Sequence, residues 1–410
     1  MSELFYRARS IFRRQARRLR GEIRGRVTHS KDLCPFCFDF FRLSDAPFRC
    51  VKGIGCKPEI DSVLKDKWGV GTPQGKVLAP EGFRHKRDCS ECKFPTEKRI
   101  CPHCHQELPH TLGDHENLVI SVVGAKESGK SHFFPTLIEF LKNTAGPDLG
   151  FIIQAFGDET MRRYKEDYRD QLLERKQVID ETRSGHTDVR SRLPLVFVLK
   201  FFKQFGGGKR IITNVVTLAF FDTAGEDMNS QDTMSFVNKY IYRSNGIILL
   251  LDPLQLVPVR DQVESNIPLP QRNTETSDII NRLDTLIHLG IGLGAEAHID
   301  IPIAVALSKF DAVEALVDEQ LHVRQNSSHV GTFDLDDFRT VDAEVQALID
   351  SWGAAYVVEQ VKNAFKQSGF FAFTALGASP RGREIENIRP RRIADPFLWL
   401  LHVHGLVPGR

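Results

Sequence analysis

Residues 118–131 read Leu118-Val-Ile-Ser-Val-Val-Gly-Ala-Lys-Glu-Ser-Gly-Lys-Ser131. The first half is an apolar run that ends at Gly124, the pattern of a buried strand. The second half matches G-x-x-x-x-G-K-[ST], in which a glycine-rich backbone turns its N–H groups toward a phosphate. A helix predicted over residues 130–142 points its positive end at the same anion. A chance glycine-rich turn is the alternative, and it is disfavoured because a strand pattern precedes the turn and a helix pattern follows it.

The polar residues of this loop have defined chemical roles. Lys130 supplies a positive charge for the β- and γ-phosphate oxygens, and the Ser131 hydroxyl is a suitable Mg²⁺ ligand. The loop therefore predicts binding of a nucleoside triphosphate with Mg²⁺. The predicted nucleotide-binding residues of this stretch are Gly124, Ala125, Lys126, Glu127, Ser128, Gly129, Lys130, Ser131 and His132.

The positive charge of the chain is concentrated in its first thirty residues. The formal net charge of the 410 residues is +2, whereas residues 1–30 hold nine Arg against Glu3 and Glu22, which is 9 − 2 = +7. Apolar residues recur between these arginines at three- and four-residue steps, which predicts a basic amphipathic helix over residues 4–27. Contact with an anionic membrane surface, a nucleic acid or an acidic partner stays open, as does a merely solvated helix. No run of about 18 apolar residues and no secretory signal occurs, so we expect a cytoplasmic protein without a transmembrane segment.

A cysteine-rich region follows the basic segment. C-x₂-C turns let two thiolates reach one tetrahedral Zn²⁺, so residues 31–110 predict a zinc-binding module. The eight predicted ligands are Cys34, Cys37, Cys50, Cys56, Cys89, Cys92, Cys101 and Cys104. We predict two Cys₄ sites filled in chain order, while a nested pairing, Cys34/Cys37 with Cys101/Cys104 and Cys50/Cys56 with Cys89/Cys92, stays open. Disulfides are disfavoured beside a nucleotide-binding loop, and His103 and His105 are expected to be surface residues.

From about residue 115 the pattern alternates between strands and helices. Strands are predicted near 118–123, 193–202, 211–221, 246–251, 302–307 and 369–374, and helices near 130–142, 158–181, 232–243, 275–290, 312–322, 335–350, 354–367 and 395–404. Gly206-Gly-Gly-Lys209 predicts a hairpin between the second and third strands. The region 115–410 is therefore predicted to be an α/β domain with a mostly parallel sheet, one antiparallel strand, helices on both faces and an insertion at about 253–274.

Three further motifs follow predicted strands. In Asp222-Thr-Ala-Gly225, the carboxylate would lie beside Mg²⁺ and the glycine N–H at the γ-phosphate. In Ser308-Lys309-Phe-Asp311, the carboxylate can accept from N1–H and the amine of guanine, a pattern that adenine lacks. The lysine stem can lie across the purine ring, and a backbone N–H of Thr374-Ala375-Leu376 can donate to guanine O6. These motifs add Asp222, Gly225, Ser308, Lys309, Asp311, Thr374, Ala375 and Leu376 to the predicted nucleotide-binding residues.

The order of these four motifs resembles that of a Ras-like GTPase. The hairpin before Asp222 resembles the translation-factor-related (TRAFAC) class of P-loop GTPases, and the added basic helix and paired cysteines look like the bacterial "double-GTPase" family. This resemblance implies GTP/GDP, Mg²⁺ and two Zn²⁺ as cofactors. It also implies a multi-gene conflict or defence system, in which a second GTPase and a downstream effector are protein partners.

Two residues depart from the pattern of this class. Ser308 stands where Asn or Thr is usual and can keep only a hydroxyl hydrogen bond to the loop. Glu226 stands where a Gln often orients the attacking water, and its carboxylate is repelled by the γ-phosphate, so hydrolysis would be slow or partner-activated. The predicted catalytic residues are Lys130, Glu226 and Thr187, and the predicted Mg²⁺ ligands are Ser131, Asp222 and Thr187. Thr182 is the alternative to Thr187 as the threonine ligand of Mg²⁺.

The leading functional hypothesis is an enzyme, a GTP-binding and GTP-hydrolysing molecular switch that acts on protein partners. One alternative is a nucleotide-dependent scaffold with little turnover, in which Glu226 marks a loss of catalysis. Another is a nucleic-acid-binding NTPase that uses the zinc module and the Arg-rich helix.

Overall fold

The computed structural model describes residues 31–51, 55–112, 117–179, 193–205, 209–220, 238–263, 269, 276–380 and 382–410. The basic helix predicted at 4–27 lies outside the described residues and stays a prediction, as do the site residues Thr187, Asp222, Gly225 and Glu226. The chain divides into two compact units. Of the described residues, the first takes in 31–34 and Asp39–Asn117, and the second takes in Pro35–Phe38 and Leu118–Arg410.

The first unit consists of short strands around the cysteines. Its strands are β1 (Asp32–Leu33), β2 (Phe40–Phe41), β3 (Phe48–Arg49), β4 (Val77–Leu78), β5 (Arg87–Asp88) and β6 (Pro95–Thr96), paired antiparallel as β1–β2, β3–β4 and β5–β6. A 3₁₀ turn covers Leu43–Asp45, and α1 (Ser62–Trp68) is capped by Asp61 at its start and by a left-handed Gly69 at its end. Two-residue strands bury little apolar surface, so cross-linking through the cysteines is what such a unit needs for stability.

Asp61 is also the centre of a buried ion network in this unit. Arg49 donates to its carboxylate at 2.6 Å, and the His105 ring Nδ1 lies 2.8 Å from the same oxygen. Burial alone would raise the pKa of Asp61, but these hydrogen bonds outweigh it and hold the pKa below its usual value. The expectation that His105 is a surface residue is wrong, because its ring helps to compensate a buried carboxylate.

The second unit is built on one seven-stranded sheet. Its strands are β7 (Asn117–Gly124), β8 (Phe151–Ala155), β9 (Leu195–Phe205), β10 (Lys209–Phe220), β11 (Gly246–Leu251), β12 (Ile303–Leu307) and β13 (Ser368–Ala372), in the order β13-β12-β11-β7-β10-β9-β8. The pairs β7–β11, β11–β12 and β12–β13 are parallel, whereas β9 runs antiparallel to both β10 and β8. The fold is therefore mixed α/β with a mostly parallel sheet, as predicted.

The helices of this unit connect the strands. They are α2 (Lys130–Phe140), α3 (Gly146–Leu149), α4 (Asp158–Arg163), α5 (Val257–Arg260), α6 (Thr276–Ile291), α7 (Leu335–Ser351), α8 (Ala355–Ala364) and α9 (Asp395–Val403). Wider π-type turns at Leu141–Ala145 and Tyr164–Glu174 continue α2 and α4. Residues 238–242 are also helical. Among the described residues, none of these helices is both long enough and apolar enough to cross a membrane.

The edge strand β8 was not among the predicted strands. Its five residues, Phe151-Ile-Ile-Gln-Ala155, alternate between buried and exposed positions, and Gly150 and Gly157 flank them with positive φ. Five residues carry a weak period-two signal, and pairing with the long strand β9 stabilises a segment that is too short to be recognised alone.

The helix predicted at 312–322 is wrong. The chain there forms short 3₁₀ turns, at Phe310–Ala312, Glu314–Leu316 and His322–Arg324. Val317 is extended, and the Asp318 side chain accepts from the Gln320 N–H, a local bond that competes with continuation of a helix. The predicted 253–274 insertion begins with a turn at Pro253–Gln255, followed by α5.

Phenylalanines fill the core beneath the glycine-rich loop. Phe134 of α2 is fully buried and stacks on Phe220 of β10 with ring centroids 4.0 Å apart. Tyr164, Tyr168 and Phe197 pack edge-on against Phe134. These contacts fix the start of α2 against the end of β10, so the loop between β7 and α2 stands on a rigid support.

Candidate functional site

The glycine-rich loop is a tight turn between β7 and α2. A Cβ on Gly124 would lie 2.7 Å from the Leu250 carbonyl oxygen, so only glycine fits at this strand end. Glu127 and Gly129 adopt left-handed φ values of 63° and 86°. The Lys130 ammonium donates to the carbonyl oxygens of Gly124, at 3.0 Å, and Ala125, at 2.7 Å. The loop therefore holds its own lysine against its backbone.

A cavity of about 200 Å³ lies beside this loop. It is lined by Gly129, His132, Val178, Leu254, Ser308, Lys309, Asp311, Ala312, Phe373, Ala375, Leu376, Ser379 and Pro380. Seven of the predicted nucleotide-binding residues, from three separate segments of the chain, meet there. The β7–α2 loop, the end of β12 and the end of β13 are brought together because parallel strands end at the same edge of the sheet.

Asp311 and Thr374 join two of these segments. The Thr374 hydroxyl donates to the Asp311 carboxylate at 2.6 Å and accepts from the Gly377 N–H at 2.8 Å. Burial raises the pKa of Asp311 above its usual value, and the hydrogen bond from Thr374 opposes that effect. The Asp311 carboxylate is thus fixed in the wall of the cavity.

Ser308 is bound to the end of β11. Its hydroxyl donates to the Leu251 carbonyl oxygen at 3.2 Å, and its N–H donates to the same oxygen at 2.8 Å. The hydroxyl proton is therefore directed at β11, and a hydrogen bond from Ser308 to the glycine-rich loop stays a prediction. The reason is that β11 and β12 end side by side, which offers Ser308 a closer acceptor.

His132, the residue after Ser131, lines the cavity with an uncharged imidazole ring. Its Nε2 accepts from the Ile179 N–H at 3.3 Å, which assigns the ring proton to Nδ1. Burial, together with the charge of Lys309, lowers the pKa of His132 to about 4. The imidazole therefore carries no charge at neutral pH and links the first turn of α2 to the segment that contains Val178.

Sequence reasoning missed six residues that line the cavity, namely Val178, Leu254, Ala312, Phe373, Ser379 and Pro380. It also missed Asp252, which binds the Lys309 ammonium at 2.7 Å. Asp252 had a signal, since a polar residue directly after the six-residue buried strand β11 marks a strand end at the ligand-binding edge. The six lining residues are ordinary apolar or small residues in loops, and no feature of the sequence marked them as part of a site.

The eight cysteines form two buried groups in the nested arrangement. Cys34, Cys37, Cys101 and Cys104 make one, and Cys50, Cys56, Cys89 and Cys92 make the other, with all ligand atoms of a group within 4.8 Å of one another. The prediction of two sites in chain order is wrong. Residues 99 and 100 pair with residues 47–49, through bonds such as Ile100 N–H to the Pro47 oxygen at 2.9 Å, and this brings distant C-x₂-C turns together.

The donor geometry of both groups fits zinc. The Sγ atoms of Cys34 and Cys104 are 3.8 Å apart, and those of Cys50 and Cys92 are 3.6 Å apart. Four sulfurs around one Zn²⁺ at about 2.3 Å lie about 3.8 Å from one another, whereas a disulfide needs about 2.05 Å. No disulfide joins any of the eight cysteines, all of which the structure describes, so two Zn²⁺ can be held, and the disulfide alternative is wrong.

A third cluster, of His329, Asp337 and Asp395, already contains its cation. Arg392 donates to the two carboxylates at 2.8 and 2.9 Å, and all these side chains are buried. Arg391, the preceding residue, pairs with Thr374 through its backbone. The cluster is therefore a structural anchor behind the cavity and needs no metal.

The fold and these sites define a mixed α/β protein with a seven-stranded, mostly parallel sheet and two N-terminal cysteine groups that can hold zinc. No protein-family model matches the chain. The chain is 26% identical over 327 residues to a putative ESX-1 scaffolding and assembly protein, SaeC, of Mycolicibacterium smegmatis, and the match covers 75% of this chain and 80% of that protein.

This similarity corrects the functional prediction. The hypothesis of a GTP-hydrolysing molecular switch in a conflict system is wrong, because the similar protein is described by its name as a scaffolding and assembly protein. The finding favours the alternative hypothesis of a scaffold. The resemblance to P-loop GTPases rests on the four motifs alone.

Proposed function

We propose that this chain is a scaffolding or assembly protein that acts on protein partners, and that its α/β unit binds a guanine nucleotide as a structural ligand. The similarity to a putative scaffolding and assembly protein, which extends over 75% of the chain, carries the scaffold part of the proposal. Two Zn²⁺ would stabilise the first unit, because its short strands cannot supply a core of their own.

The nucleotide part of the proposal is supported by the cavity. At about 200 Å³ it is smaller than the usual site for a drug-sized ligand, so it suits one flat group such as a base. Asp311 offers a carboxylate for N1–H and the amine of guanine, and the Ala375 segment offers backbone donors for O6. The phosphates would extend toward the Gly124–Ser131 loop, and Ser131, Asp222 and Thr187 are the proposed Mg²⁺ ligands.

Hydrolysis of GTP stays an untested prediction, and the proposed scaffold does not require it. Glu226, in the position where a water-orienting Gln is common, favours little turnover. A single-turnover assay on the purified full-length chain measures it, with Lys130→Ala as the reference. Phosphate release well above that of Lys130→Ala would show that the nucleotide is a substrate, and it would contradict the proposed role as a structural ligand.

The scaffold is tested by isolating the tagged full-length chain from its own cells at native expression. We expect at least two partner proteins in one complex, which no longer co-purify with each other when the scaffold is deleted. A chain that elutes without partners would contradict the proposal.

Fractionation of the same cells tests the predicted cytoplasmic location. Binding of residues 4–27 to nucleic acid or to anionic vesicles is a separate prediction, and we expect such binding to weaken as the salt concentration rises.

Nucleotide binding is tested with fluorescent N-methylanthraniloyl-GDP on the purified zinc-loaded chain. We expect binding that unlabelled GDP displaces and ATP does not. Asp311→Asn should weaken GDP and favour xanthosine diphosphate, because the amide matches the altered base edge. Equal competition by GDP and ATP would contradict a guanine site.

A further inference from the structure

Asp252 stands at the end of β11 with its side chain fully buried, since none of that side chain's surface is exposed. Burying a carboxylate is costly unless hydrogen bonds and an opposite charge compensate it. Asp252 has both. One oxygen accepts from the Leu254 N–H at 2.9 Å, and the other accepts from the Lys309 ammonium at 2.7 Å.

Both residues that bind the Asp252 carboxylate line the same cavity. Lys309 and Leu254 each line it, although Lys309 lies in the loop after β12 and Leu254 in the turn after β11. The Lys309 stem lies beside the glycine-rich loop, because a Cβ on Gly129 would be 3.9 Å from its Cγ and Cε. One buried carboxylate therefore fixes a side chain on each of two segments around the space.

Lys309 needs such an anchor. Its backbone is in the left-handed region with φ of 49°, and a third of its side chain is exposed. A long, partly exposed lysine samples many rotamers, and ordering it costs side-chain entropy. The ion pair with Asp252 holds the stem in place before any ligand arrives.

We infer that Asp252 is a positioning residue for the base-binding cavity, acting through Lys309. This inference rests on the proposed guanine-nucleotide site. The carboxylate lies behind the lysine and holds its ammonium, so that the methylene stem presents a flat surface to a purine ring. The same carboxylate fixes the Leu254 turn through the cap, which Asn at position 252 would preserve.

The test measures the dissociation rate of N-methylanthraniloyl-GDP from the full-length chain, chased with unlabelled GDP. Asp252→Asn should accelerate dissociation about tenfold, because it removes the charge and keeps the cap. Lys309→Met keeps an apolar stem but has no ammonium to anchor, and it should give a similar acceleration. The double variant should dissociate no faster than Lys309→Met alone. Asp300→Asn, which breaks the exposed ion pair with Lys366, is the matched control and should leave the rate unchanged.

Three outcomes would overturn the inference, and they differ. If the wild-type chain does not bind the probe, the proposed nucleotide site falls and the inference falls with it. If the wild-type chain binds and Asp252→Asn and Lys309→Met dissociate at the wild-type rate, only the inference falls. If the two substitutions act additively, Asp252 does not work through Lys309. If circular dichroism shows that Asp252→Asn is unfolded, the dissociation rate of Lys309→Met alone decides the role of the ion pair.

Discussion

Thr374 donates its hydroxyl to Asp311 over 2.6 Å and so ties the loop after β13 to the loop after β12. Neither residue is close to the other in the sequence. The hydrogen bond sets the direction in which the Asp311 carboxylate faces the cavity. Its donor, Thr374, is buried and is therefore held in place. Specificity for a base would thus depend on a pair of residues, because a carboxylate without a fixed direction discriminates less.

Thr374→Val should weaken GDP binding while the chain stays folded. The substitution keeps the side-chain shape and removes the donor to Asp311, and a hydrogen bond to a charged group contributes about 1.5–3 kcal/mol. We expect the GDP dissociation constant, measured by titration calorimetry, to rise about tenfold or more. Thr340→Val is the control, since that hydroxyl bonds only the Asp336 carbonyl on an exposed helix face. Unchanged GDP affinity in Thr374→Val would show that this hydrogen bond does not shape the site.

Gly124→Ala should disturb the glycine-rich loop. The added methyl group would meet the Leu250 carbonyl oxygen at 2.7 Å and the Ser128 hydroxyl at 2.5 Å, so β7 or β11 has to shift. We expect a lower Tm in calorimetry, corresponding to about 1–3 kcal/mol, together with loss of GDP binding. Gly71→Ala, where nothing lies within 4 Å of the new Cβ, should change neither quantity. A Gly124→Ala protein with the wild-type Tm would contradict the tight packing at this strand end.

The nested cysteine arrangement makes a stoichiometric prediction. Cys34→Ser, Cys101→Ser and the double variant should each retain about one Zn²⁺ per chain, because both residues belong to one site. A chain-order arrangement would instead leave the double variant with no intact site. Zinc content by mass spectrometry after gel filtration distinguishes the two. Cys34→Ser combined with Cys50→Ser provides the control that should lose both ions.

Asp334 gives the second unit a pH-dependent contribution to stability. It caps α7, and the backbone N–H of Asp337, with help from Ser328 and Arg410, lowers the pKa of Asp334 to about 2. A lowered folded-state pKa stabilises the fold above the unfolded value of about 4, and that contribution is lost as pH falls from about 4 to 2. Asp334→Asn keeps the cap and removes the charge.

We therefore expect the Tm difference between wild type and Asp334→Asn to be present at pH 7 and to disappear near pH 2. Asp334→Ala should lose about 1 kcal/mol more at neutral pH, because it also removes the cap. Calorimetric scans of the three proteins over this pH range make the comparison. A difference that stays constant down to pH 2 would rule out the titration of Asp334 as its cause.

The sequence by itself determined the local features of this protein. An apolar run, a glycine-rich turn and a helix pattern are adjacent in the chain, so the β7–loop–α2 unit was readable from periodicity and from the conformational needs of glycine. Six of the eight candidate zinc ligands were readable for a similar reason, since each C-x₂-C turn is a local unit, and Cys50 and Cys56 lie close together in the chain. The motif order also predicted which strands end near one another.

Only the tertiary structure decided which distant parts meet. The nested cysteine pairing depends on hydrogen bonds between residues 47–49 and 98–100, and the short strand β8 exists because β9 pairs with it. Asp252 became a partner of Lys309, 57 residues further along the chain, because β11 and β12 end side by side. Such contacts depend on strand order and register, which the local sequence does not encode.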